Sequence, residues 1–429
     1  MGLRRFFNRW YWTRHGRKLK IRFVRRPLLT LGGLPLVAVT GTNGKTTTTL
    51  LINRILRDAG FRTGCSCTEG VLIDDQWVVH GDEAGSRGLW LASRPRGLHA
   101  LVAETARGGI LRYGLGFSAC HASVVTNVAA DHLGQHGVES VEDMAEVKST
   151  LPRHTRRDGV TVLNGDQPLV REMAAKSPAR AVYFTLNEPL ASWEHCYFVH
   201  DGAIHRKHGA ETERVVDVDL IYMTHGGTVT FQVANAMAAI AAVEGLQPWL
   251  TVPRSSIEQS LASFGRDPRD IPGRMQLFRY EGADVLISLS KNPDTYGREI
   301  PLLQRLARAH GYGRVVCIVS NVGNRDESHF REVSRLVASM GDLVVGVPPH
   351  DEYLRGKTRE EIVRLLESEV PAEKVARMRA TTLPGLIAEL QGAGSPSTLF
   401  VSFASRISSA VDVDDVVKRG ELLPMRFSS

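Results

Sequence analysis

The sequence predicts an α/β protein, with a P-loop central domain on a mostly parallel sheet and a smaller, Rossmann-like α/β domain after it. Two observations predict this fold. Short β-branched runs alternate with segments whose apolar residues recur at helical spacing, in both halves of the chain. A glycine-rich loop also joins the first buried strand of the central part to its first helix, an arrangement typical of phosphate-binding α/β proteins. The 429 residues are enough for two or three domains.

The composition is that of an ordinary globular protein. Hydrophobic residues make up 43% and charged residues 23% of the chain, which excludes the disordered and low-complexity classes. No apolar run reaches the roughly 18 residues that a membrane-spanning helix needs. The five cysteines form no CxxC pair, so we expect a reducing, cytoplasmic environment and no zinc ribbon.

The basic charge is concentrated at the amino terminus. The chain has 53 Lys and Arg against 46 Asp and Glu, and residues 1–26 hold ten of the basic residues and none of the acidic ones. The remainder is slightly acidic, which argues against a nucleic-acid partner. Aromatic residues lie among these cations, and this mixture predicts peripheral contact with an anionic membrane surface. Docking on this chain or on a partner, or no specific role, are the alternatives.

The first strand and loop carry the strongest local signal. Residues 36–40 form a β-branched run that predicts a buried strand. The loop that follows consists of Gly41, Thr42, Asn43, Gly44, Lys45, Thr46 and Thr47. Its glycines would let backbone N–H groups approach phosphates, Lys45 would reach the β and γ oxygens, and the Thr46 hydroxyl would ligate Mg²⁺. The strict Walker pattern expects a glycine where this chain has Val39, so the match to that pattern is incomplete.

Two further predicted strands end in side chains that suit a metal site. The strand at 100–103 ends in Glu104, and the strand at 122–127 leads into Asp131 and His132. The carboxyl ends of parallel strands meet at one edge of a sheet, where ligands bind. A carboxylate and an imidazole near a phosphate loop therefore indicate a divalent metal. A structural role for each residue taken alone is the alternative.

The second half is predicted to form the smaller domain. It contains β-branched runs at 315–319 and 343–347 and an amphipathic helix at 359–366. The polar stretch 265–270 followed by Ile271-Pro272-Gly273 indicates a linker. The predicted organisation is a basic aromatic arm at 1–33, a central domain at 34–270 and a C-terminal domain at 271–429.

These motifs together resemble the Mur ligase superfamily of ATP-dependent amide ligases, and within it the Mur-ligase-like C-terminal region of cyanophycin synthetases. The resemblance covers about residues 34–415. Beyond the glycine loop, it rests on Glu104-Thr105-Ala106-Arg107-Gly108-Gly109 and on Asp131-His132-Leu133-Gly134. An ATP-grasp domain precedes this region in cyanophycin synthetases. Here 33 residues precede it, so we do not expect the two-ligase polymerisation cycle on this chain alone, and another ligase would be a partner.

The resemblance implies a role for each matching residue. The implied ATP-binding residues are Gly41, Thr42, Asn43, Gly44, Lys45, Thr46, Thr47, Asn235, Arg274, Lys291 and Asn292. The implied catalytic residues are Lys45, His132, Lys148 and Arg274, and the implied magnesium ligands are Thr46, Glu104, His132 and Lys148. Substrate contacts are implied for Thr68, Arg107 and Gly108. Lys148 matches a lysine that is often carbamylated in the superfamily, and the implied cofactors are ATP and Mg²⁺.

Three of these residues have ordinary structural alternatives. For Lys148 the alternative is a solvated lysine on a helix. Asn235 reads as a polar residue at the start of an Ala-rich helix, and Arg274 as a linker arginine.

One segment departs from the superfamily pattern. Where relatives usually carry Asp-Tyr-Ala-His-Asn-Pro, this chain has Ser288-Leu289-Ser290-Lys291-Asn292-Pro293. That form resembles the ligase-like subunit of the lipid II amidating complex, which works with a glutamine amidotransferase. The subunit normally carries a four-cysteine zinc insertion, and this sequence has no such cluster.

Three functional hypotheses follow. The leading one is a ligase that activates the carboxylate of an amino acid, peptide or polyamide as an acyl phosphate and couples it to an amine. The second is an activating subunit that receives ammonia from a separate glutaminase. The third is a membrane-associated, ATP-binding scaffold without turnover.

Overall fold

The chain divides into two compact units, residues 1–266 and 267–429. The computed structural model describes residues 6–12, 18–24, 33–290, 292–320, 327–347, 359–380, 382–391, 397–403 and 411–427. Lys291, for which a nucleotide contact is expected, lies outside these residues. The domain limits predicted from the sequence, at 33/34 and 270/271, stay predictions.

The first unit alternates strands and helices along the sequence. Its strands are β1 Phe6–Trp12, β2 Lys18–Val24, β3 Leu36–Thr40, β4 Thr63–Cys67, β5 Gly70–Ile73, β6 Gln76–His80, β7 Ala100–Glu104, β8 Cys120–Val125, β9 Thr155–Asn164, β10 Arg180–Thr185, β11 His195–His200, β12 Ala203–His208 and β13 Glu211–Asp217. Its helices are α1 Lys45–Asp58, α2 Ser86–Ala92, α3 Arg107–Tyr113, α4 Val141–Lys148, α5 Thr150–Arg153, α6 Pro168–Arg171, α7 Thr230–Glu244 and α8 Arg254–Ser263.

The main sheet of this unit is mostly parallel, as predicted. Over the described residues its strand order is β13-β12-β11-β10-β9-β8-β3-β7-β4-β5-β6. The strands from β11 to β4 in this order run parallel, and two antiparallel strands extend each end. The first two strands of the chain, β1 and β2, pair with each other as a separate antiparallel hairpin.

The parallel order places the predicted motifs at one edge of the sheet. β3 lies between β7 and β8, so the glycine loop after β3 is flanked by Glu104 at the end of β7 and by the segment that follows β8. Helices α7 and α8 pack against α1. α7 is alanine-rich and buried along almost its whole length, which lets it approach α1 closely.

The second unit is a smaller α/β domain, again as predicted. Its strands are β14 Arg274–Tyr280, β15 Ala283–Ser288, β16 Arg314–Ser320, β17 Leu343–Val347, β18 Thr398–Ser402 and β19 Glu421–Leu423. Its helices are α9 Pro293–His310, α10 Glu327–Ala338, α11 Arg359–Glu367, α12 Leu383–Leu390 and α13 Val413–Arg419. In the described order β17-β16-β18-β15-β14-β19, the first four strands are parallel and the last two pair antiparallel. Apolar side chains of the parallel strands and of α12 form its core.

Two sequence-based expectations concern cysteines and membrane spans. All five cysteines are buried free thiols, so the described structure contains no disulfide. Of the helices in the described ranges, none combines the length and apolar character required to cross a bilayer.

Candidate functional site

The glycine loop adopts a backbone that larger residues could not. Gly41 has φ +154°, and a Cβ there would lie 1.8 Å from Thr126 Oγ1. Gly44 has φ +79°, and a Cβ there would lie 2.3 Å from Asn235 Oδ1. Both positions therefore require glycine, through backbone conformation and through space. Val39, where the strict Walker pattern has glycine, is an ordinary buried residue within β3.

Side chains that follow β8 fasten the loop. The Asn127 amide accepts from the Asn43 backbone N–H at 2.8 Å and donates to the Asn43 carbonyl at 3.0 Å. Thr126 donates its hydroxyl to the same carbonyl at 2.6 Å. The Thr42 N–H donates to the backbone carbonyl of Asn127 at 2.9 Å. The loop is thus held from a neighbouring strand, with its shape set before any ligand binds.

Helix α1 starts at the end of this loop without a side-chain cap. Gly44 is its N-cap residue, and no side chain of the described residues caps the first turn. The positive end of a 14-residue helix therefore faces outward from the loop. Backbone N–H groups in this arrangement form an anion site that suits phosphate. Lys45, Thr46 and Thr47 occupy this first turn.

Glu104 is the centre of a compact polar cluster beside the loop. Its carboxylate accepts from the Thr46 hydroxyl at 2.8 Å, and from the backbone N–H and the hydroxyl of Thr68 at 3.0 Å each. The Lys45 ammonium lies 4.0 Å from the same carboxylate and donates to the Thr42 carbonyl at 2.9 Å. Glu104 is only 1% exposed. Thr68, which the resemblance places at the substrate, therefore lies directly against the implied metal ligand.

Lys148 reaches the loop from another direction. It is the last residue of α4, whose amino end is fixed by a capping box between Ser140 and Asp143. Its side chain is buried, and Nζ donates to the Gly41 carbonyl at 2.7 Å. Burial, followed by the nearby charge of Lys45, holds the pKa of Lys148 well below its usual value. The solvated helix lysine is thus the wrong alternative for this residue.

Arg107 and His132 meet at the next strand end. Arg107 is the first residue of α3, and its guanidinium donates to the His132 carbonyl at 2.9 Å. Burial lowers the pKa of Arg107. His132 has φ +53°, and its Nε2 lies 3.8 Å from the Asp131 carboxylate. Gly108, beside Arg107, has open space around its Cα. Two charged side chains and an imidazole therefore line this end of the sheet.

Asn235 contacts the loop from helix α7. Its Oδ1 accepts from the Thr48 hydroxyl at 3.4 Å and would be the first atom met by a side chain at Gly44. Its Nδ2 donates to Gln232 Oε1 at 2.9 Å. The residue therefore packs α7 against the start of α1, 187 residues away in sequence.

The remaining predicted residues belong to the second unit. Arg274 begins β14, and its guanidinium donates to the Pro272 carbonyl at 2.9 Å. Asn292 is buried and caps α9, because its Oδ1 accepts from the backbone N–H and the hydroxyl of Thr295. The structure accounts for Asn292 as a helix cap, and its nucleotide contact stays a prediction.

The oxygen ligands around Glu104 fit a magnesium ion. Mg²⁺ prefers carboxylate and hydroxyl oxygens, and Thr46 and Glu104 supply one of each within hydrogen-bonding distance. In the described part of the chain, no three His, Cys, Asp or Glu side chains converge on one point. A magnesium ion here would therefore complete its shell with phosphate oxygens and water, as this ion usually does.

Some contacts of the site escape sequence reasoning. The sequence places Thr126 in a strand and predicts no role for it, yet it fastens the loop and fills the space beside Gly41. The sequence also does not predict the contact of Thr68 with Glu104. The one sequence feature that indicates it is that Thr68 follows a short strand and precedes Gly70, at a turn beside the same sheet edge.

Comparison with known proteins identifies the family. A model of the Mur ligase middle domain matches residues 39–243, from β3 into α7. The match includes the glycine loop, Glu104, His132, Lys148 and Asn235. The chain belongs to the Mur ligase superfamily. Its relatives are named as synthetases and ligases.

The sequence relatives include two kinds of Mur ligase homologue. Cyanophycin synthetase of Synechocystis sp. is 33% identical over 393 residues, which are 89% of this chain and 43% of that protein. The UDP-N-acetylmuramoyl-L-alanyl-D-glutamate--2,6-diaminopimelate ligase of Thermosynechococcus vestitus is 27% identical over 382 residues, 80% of this chain and 71% of the relative. This member of the superfamily thus spans less than half the length of the cyanophycin synthetases that it matches.

Two solved structures share the fold of this chain. E. coli FolC in complex with DHPP and ADP has a TM-score of 0.62 at 18% identity, covering 90% of this chain and 88% of that one. MurF from Acinetobacter baumannii has a TM-score of 0.57 at 16% identity, covering 88% and 74%. At these identities the likeness establishes the fold of this superfamily member.

Proposed function

We propose that the chain is an ATP-dependent ligase that joins a carboxylate to an amine and releases ADP. The observation that carries this proposal is the convergence of Lys45, Thr46, Glu104 and Lys148 on one glycine loop. The fixed loop backbone and the uncapped start of α1 suit the phosphates of a nucleoside triphosphate. The oxygen ligands beside the loop suit its Mg²⁺ ion. The ligase names of the relatives support the same class.

Each residue of the loop region would hold one part of the nucleotide. The first-turn N–H groups of α1 would bind the phosphates, and the Lys45 ammonium would neutralise the β and γ oxygens. Thr46 and Glu104 would hold Mg²⁺, which supplies further charge neutralisation when it is bound. Asn235 would lie near the adenine, and Arg274 would stabilise the charge that develops on the γ-phosphate.

The reaction would occur in two steps. A substrate carboxylate oxygen attacks the γ-phosphorus, the bond to the β-bridging oxygen breaks, and ADP leaves. An amine nitrogen then attacks the acyl carbon of the acyl phosphate, inorganic phosphate leaves and the nitrogen loses a proton. The chain has mainly to position the reactants and to exclude water from the acyl phosphate. Thr68, Arg107 and Gly108 would line the carboxylate side, where the Arg107 guanidinium suits a carboxylate or peptide carbonyl.

The substrates would be an amino acid, a peptide or a polyamide. This class follows the relatives, whose names include cyanophycin, muramoyl-peptide and folylpolyglutamate products. The amine would be a second amino acid. The departure from the superfamily pattern at 288–293 motivates a second proposal, in which the amine is ammonia from a separate glutaminase. A partner ligase is a further proposal.

Phosphate release with paired substrates tests the proposal. The full chain is incubated with ATP and Mg²⁺ and with pairs drawn from amino acids, short acidic peptides and ammonium. We expect release of one phosphate per amide formed, with the amide identified by mass spectrometry. Phosphate release that occurs only when ammonium is the amine would favour the glutaminase-coupled subunit. Tight ATP binding without release for any pair, with and without candidate partner proteins, would contradict the ligase and favour the scaffold.

Lys148 gives a separate prediction. Burial lowers the pKa of Lys148 and so favours the neutral amine, which is the form that adds to CO₂. The nitrogen lone pair attacks the carbon, one N–H proton leaves to solvent, and a carbamate that could assist metal binding results. We expect a carbamate signal in ¹³C NMR of the protein in labelled bicarbonate, and activity that falls in CO₂-free buffer.

The matched control for this prediction is Lys148→Arg, whose side chain is of similar length but forms no carbamate under these conditions. Loss of the ¹³C signal in that variant assigns it to Lys148. Wild-type turnover that is unchanged in CO₂-free buffer, with no carbamate signal, would show that the amine acts unmodified.

Membrane contact of the basic aromatic arm stays a proposal, and docking on a protein or no specific role stay its alternatives. Its strands β1 and β2 pair with Trp10 opposite Lys20 and Trp12 opposite Lys18. Lysines paired across the hairpin with tryptophans would suit an anionic lipid surface, so peripheral membrane contact through residues 1–26 stays part of the proposal.

A further inference from the structure

A second cavity lies at the opposite edge of the main sheet from the glycine loop. It has a volume of about 110 Å³. Its walls include the first residues of β10 and β11 and the last residues of β12, whereas the glycine loop follows the carboxyl end of β3. The carboxyl end of α7 closes it. The cavity is therefore separate from the proposed ATP site.

Basic residues dominate the cavity wall. The basic residues that line it are Arg180, His195, Arg206, Lys207 and His208, and the acidic one is Glu244. Tyr197 donates its hydroxyl to Glu244 at 2.5 Å, and Arg206 forms an ion pair with the same carboxylate. Arg206 also pairs with Glu213 at 2.5 Å. The Glu244 carboxylate and the partial negative charge at the carboxyl end of α7 are thus already balanced by Arg206 and the Tyr197 hydroxyl.

One cation on the α7 face of the sheet is left over, because Arg180 has no carboxylate within ion-pair distance among the described residues. Lys207 lies between Arg206 and His208 on β12, so its side chain is on the other face of the sheet. There it donates to the Ala191 carbonyl at 3.4 Å. The excess charge affects the neighbouring imidazole. Burial, then the charge of Arg180, then His208 lower the pKa of His195, and Glu194 opposes them only weakly. His195 and His208 face each other edge-on, with ring centroids 4.6 Å apart.

We propose that this cavity binds an oxyanion, a carboxylate or a phosphate group, at a site separate from the glycine loop. Its volume suits one such group with a few water molecules. Arg180 would supply charge-assisted hydrogen bonds, and the imidazole pair of His195 and His208 would add donors when it is protonated. The site is an effector site or a second docking point for an acidic substrate, depending on which oxyanion it takes.

Helix α7 connects this site to the glycine loop. Glu244 is its last residue and lines the cavity, while Asn235 touches Gly44 and Thr48. At 1.5 Å per residue, these two residues lie about 14 Å apart along one rigid helix. A ligand that repositions Glu244 would therefore change ATP affinity, and this change is a second measurable result.

The test uses the full chain with the glycine loop filled by a non-hydrolysable ATP analogue and Mg²⁺. Inorganic phosphate and a tetraglutamate peptide are titrated separately, and binding is followed by calorimetry and by NMR of the imidazole signals. We expect saturable binding of at least one probe, a raised pKa of His195 in the complex, and affinity that falls as the pH rises. Tighter phosphate binding indicates an effector site, and tighter peptide binding indicates a docking point.

Paired variants make the result specific. Arg180→Ala should weaken binding at least about tenfold, since it removes the charge-assisted hydrogen bonds of the unpaired cation on this face. Arg157→Ala removes an exposed arginine of β9 that does not line the cavity, and binding should be unchanged. Lys207→Ala, on the other face of the sheet, should also retain binding. No saturable binding of either probe, or equal binding by Arg180→Ala and the wild type, overturns the proposal without touching the proposed ligase reaction.

Discussion

Lys45→Ala is expected to lower substrate-dependent phosphate release by about a thousandfold, the magnitude typical for loss of a preorganised charge at a phosphoryl group. The Lys45 ammonium is held by the Thr42 carbonyl at 2.9 Å and lies 4.0 Å from Glu104, at the start of the uncapped helix. No other lysine of the loop could replace it, because Lys148 is buried against Gly41. The measurement is the initial rate of phosphate release with the active substrate pair.

Lys176→Ala is the matched control for this prediction. Lys176 is an exposed lysine of the same unit, and its ammonium pairs with the buried Glu146 of α4 at 2.7 Å. We expect wild-type rates from this variant, because Glu146 keeps its second ion pair, with Arg153 at 2.7 Å. A Lys45→Ala rate within about fivefold of wild type, with unfolding unchanged, would remove this residue from the proposed mechanism.

Glu299→Gln is expected to change the pH dependence of stability by about 3 kcal/mol. Glu299 lies on α9, is buried, and accepts from the hydroxyls of Ser288 and Ser290 at the end of β15. Burial raises its pKa from the ordinary 4.5 to about 7, although the two hydroxyl donors work in the opposite direction. The folded protein therefore holds a proton at this position that the unfolded chain releases.

The sign follows from this difference in proton binding. Between pH 4.5 and about pH 7 the unfolded chain ionises Glu299 while the folded chain does not, so the stability contributed by the neutral carboxyl is lost as the pH rises through this window. The glutamine variant does not ionise, so its stability relative to wild type should increase from pH 4.5 to pH 8. Urea unfolding of both proteins across this range measures the difference.

Glu373→Gln serves as the control for this second prediction. Glu373 is exposed in the same unit, so its replacement should leave the pH dependence of unfolding at the wild-type value. Parallel unfolding curves for wild type and Glu299→Gln from pH 4.5 to pH 8 would show that the Glu299 carboxyl is ionised in the folded protein.

The sequence predicts the parts of the fold that depend on local pattern. The strand of residues 36–40 and the strand that ends at Glu104 are confirmed, because β-branched runs and a glycine loop are local signals. The strand predicted at 122–127 ends two residues earlier, at Val125, where the chain turns to fasten the loop. The helix predicted at 359–366 is confirmed as α11.

Long-range contacts account for what the sequence left open. Lys148 and Gly41 are 107 residues apart, and no local pattern shows that a lysine at the end of an amphipathic helix is buried. A functional role for Lys148 is implied by the family resemblance alone. The Ser288–Ser290–Glu299 cluster is not predictable for a similar reason, because Glu299 lies on α9, 11 residues after Ser288, and no local pattern pairs them.

The hydrogen bonds of Glu104 couple the proposed metal site to the turn between β4 and β5. Three donors, from Thr46 and Thr68, share its two carboxylate oxygens. A cation that binds Glu104 would compete with the Thr68 hydroxyl and N–H for these oxygens, and would loosen the turn. The metal-bound nucleotide would then remodel the substrate wall before substrate enters. Compulsory ordered kinetics, with ATP first, is the signature of such a coupling.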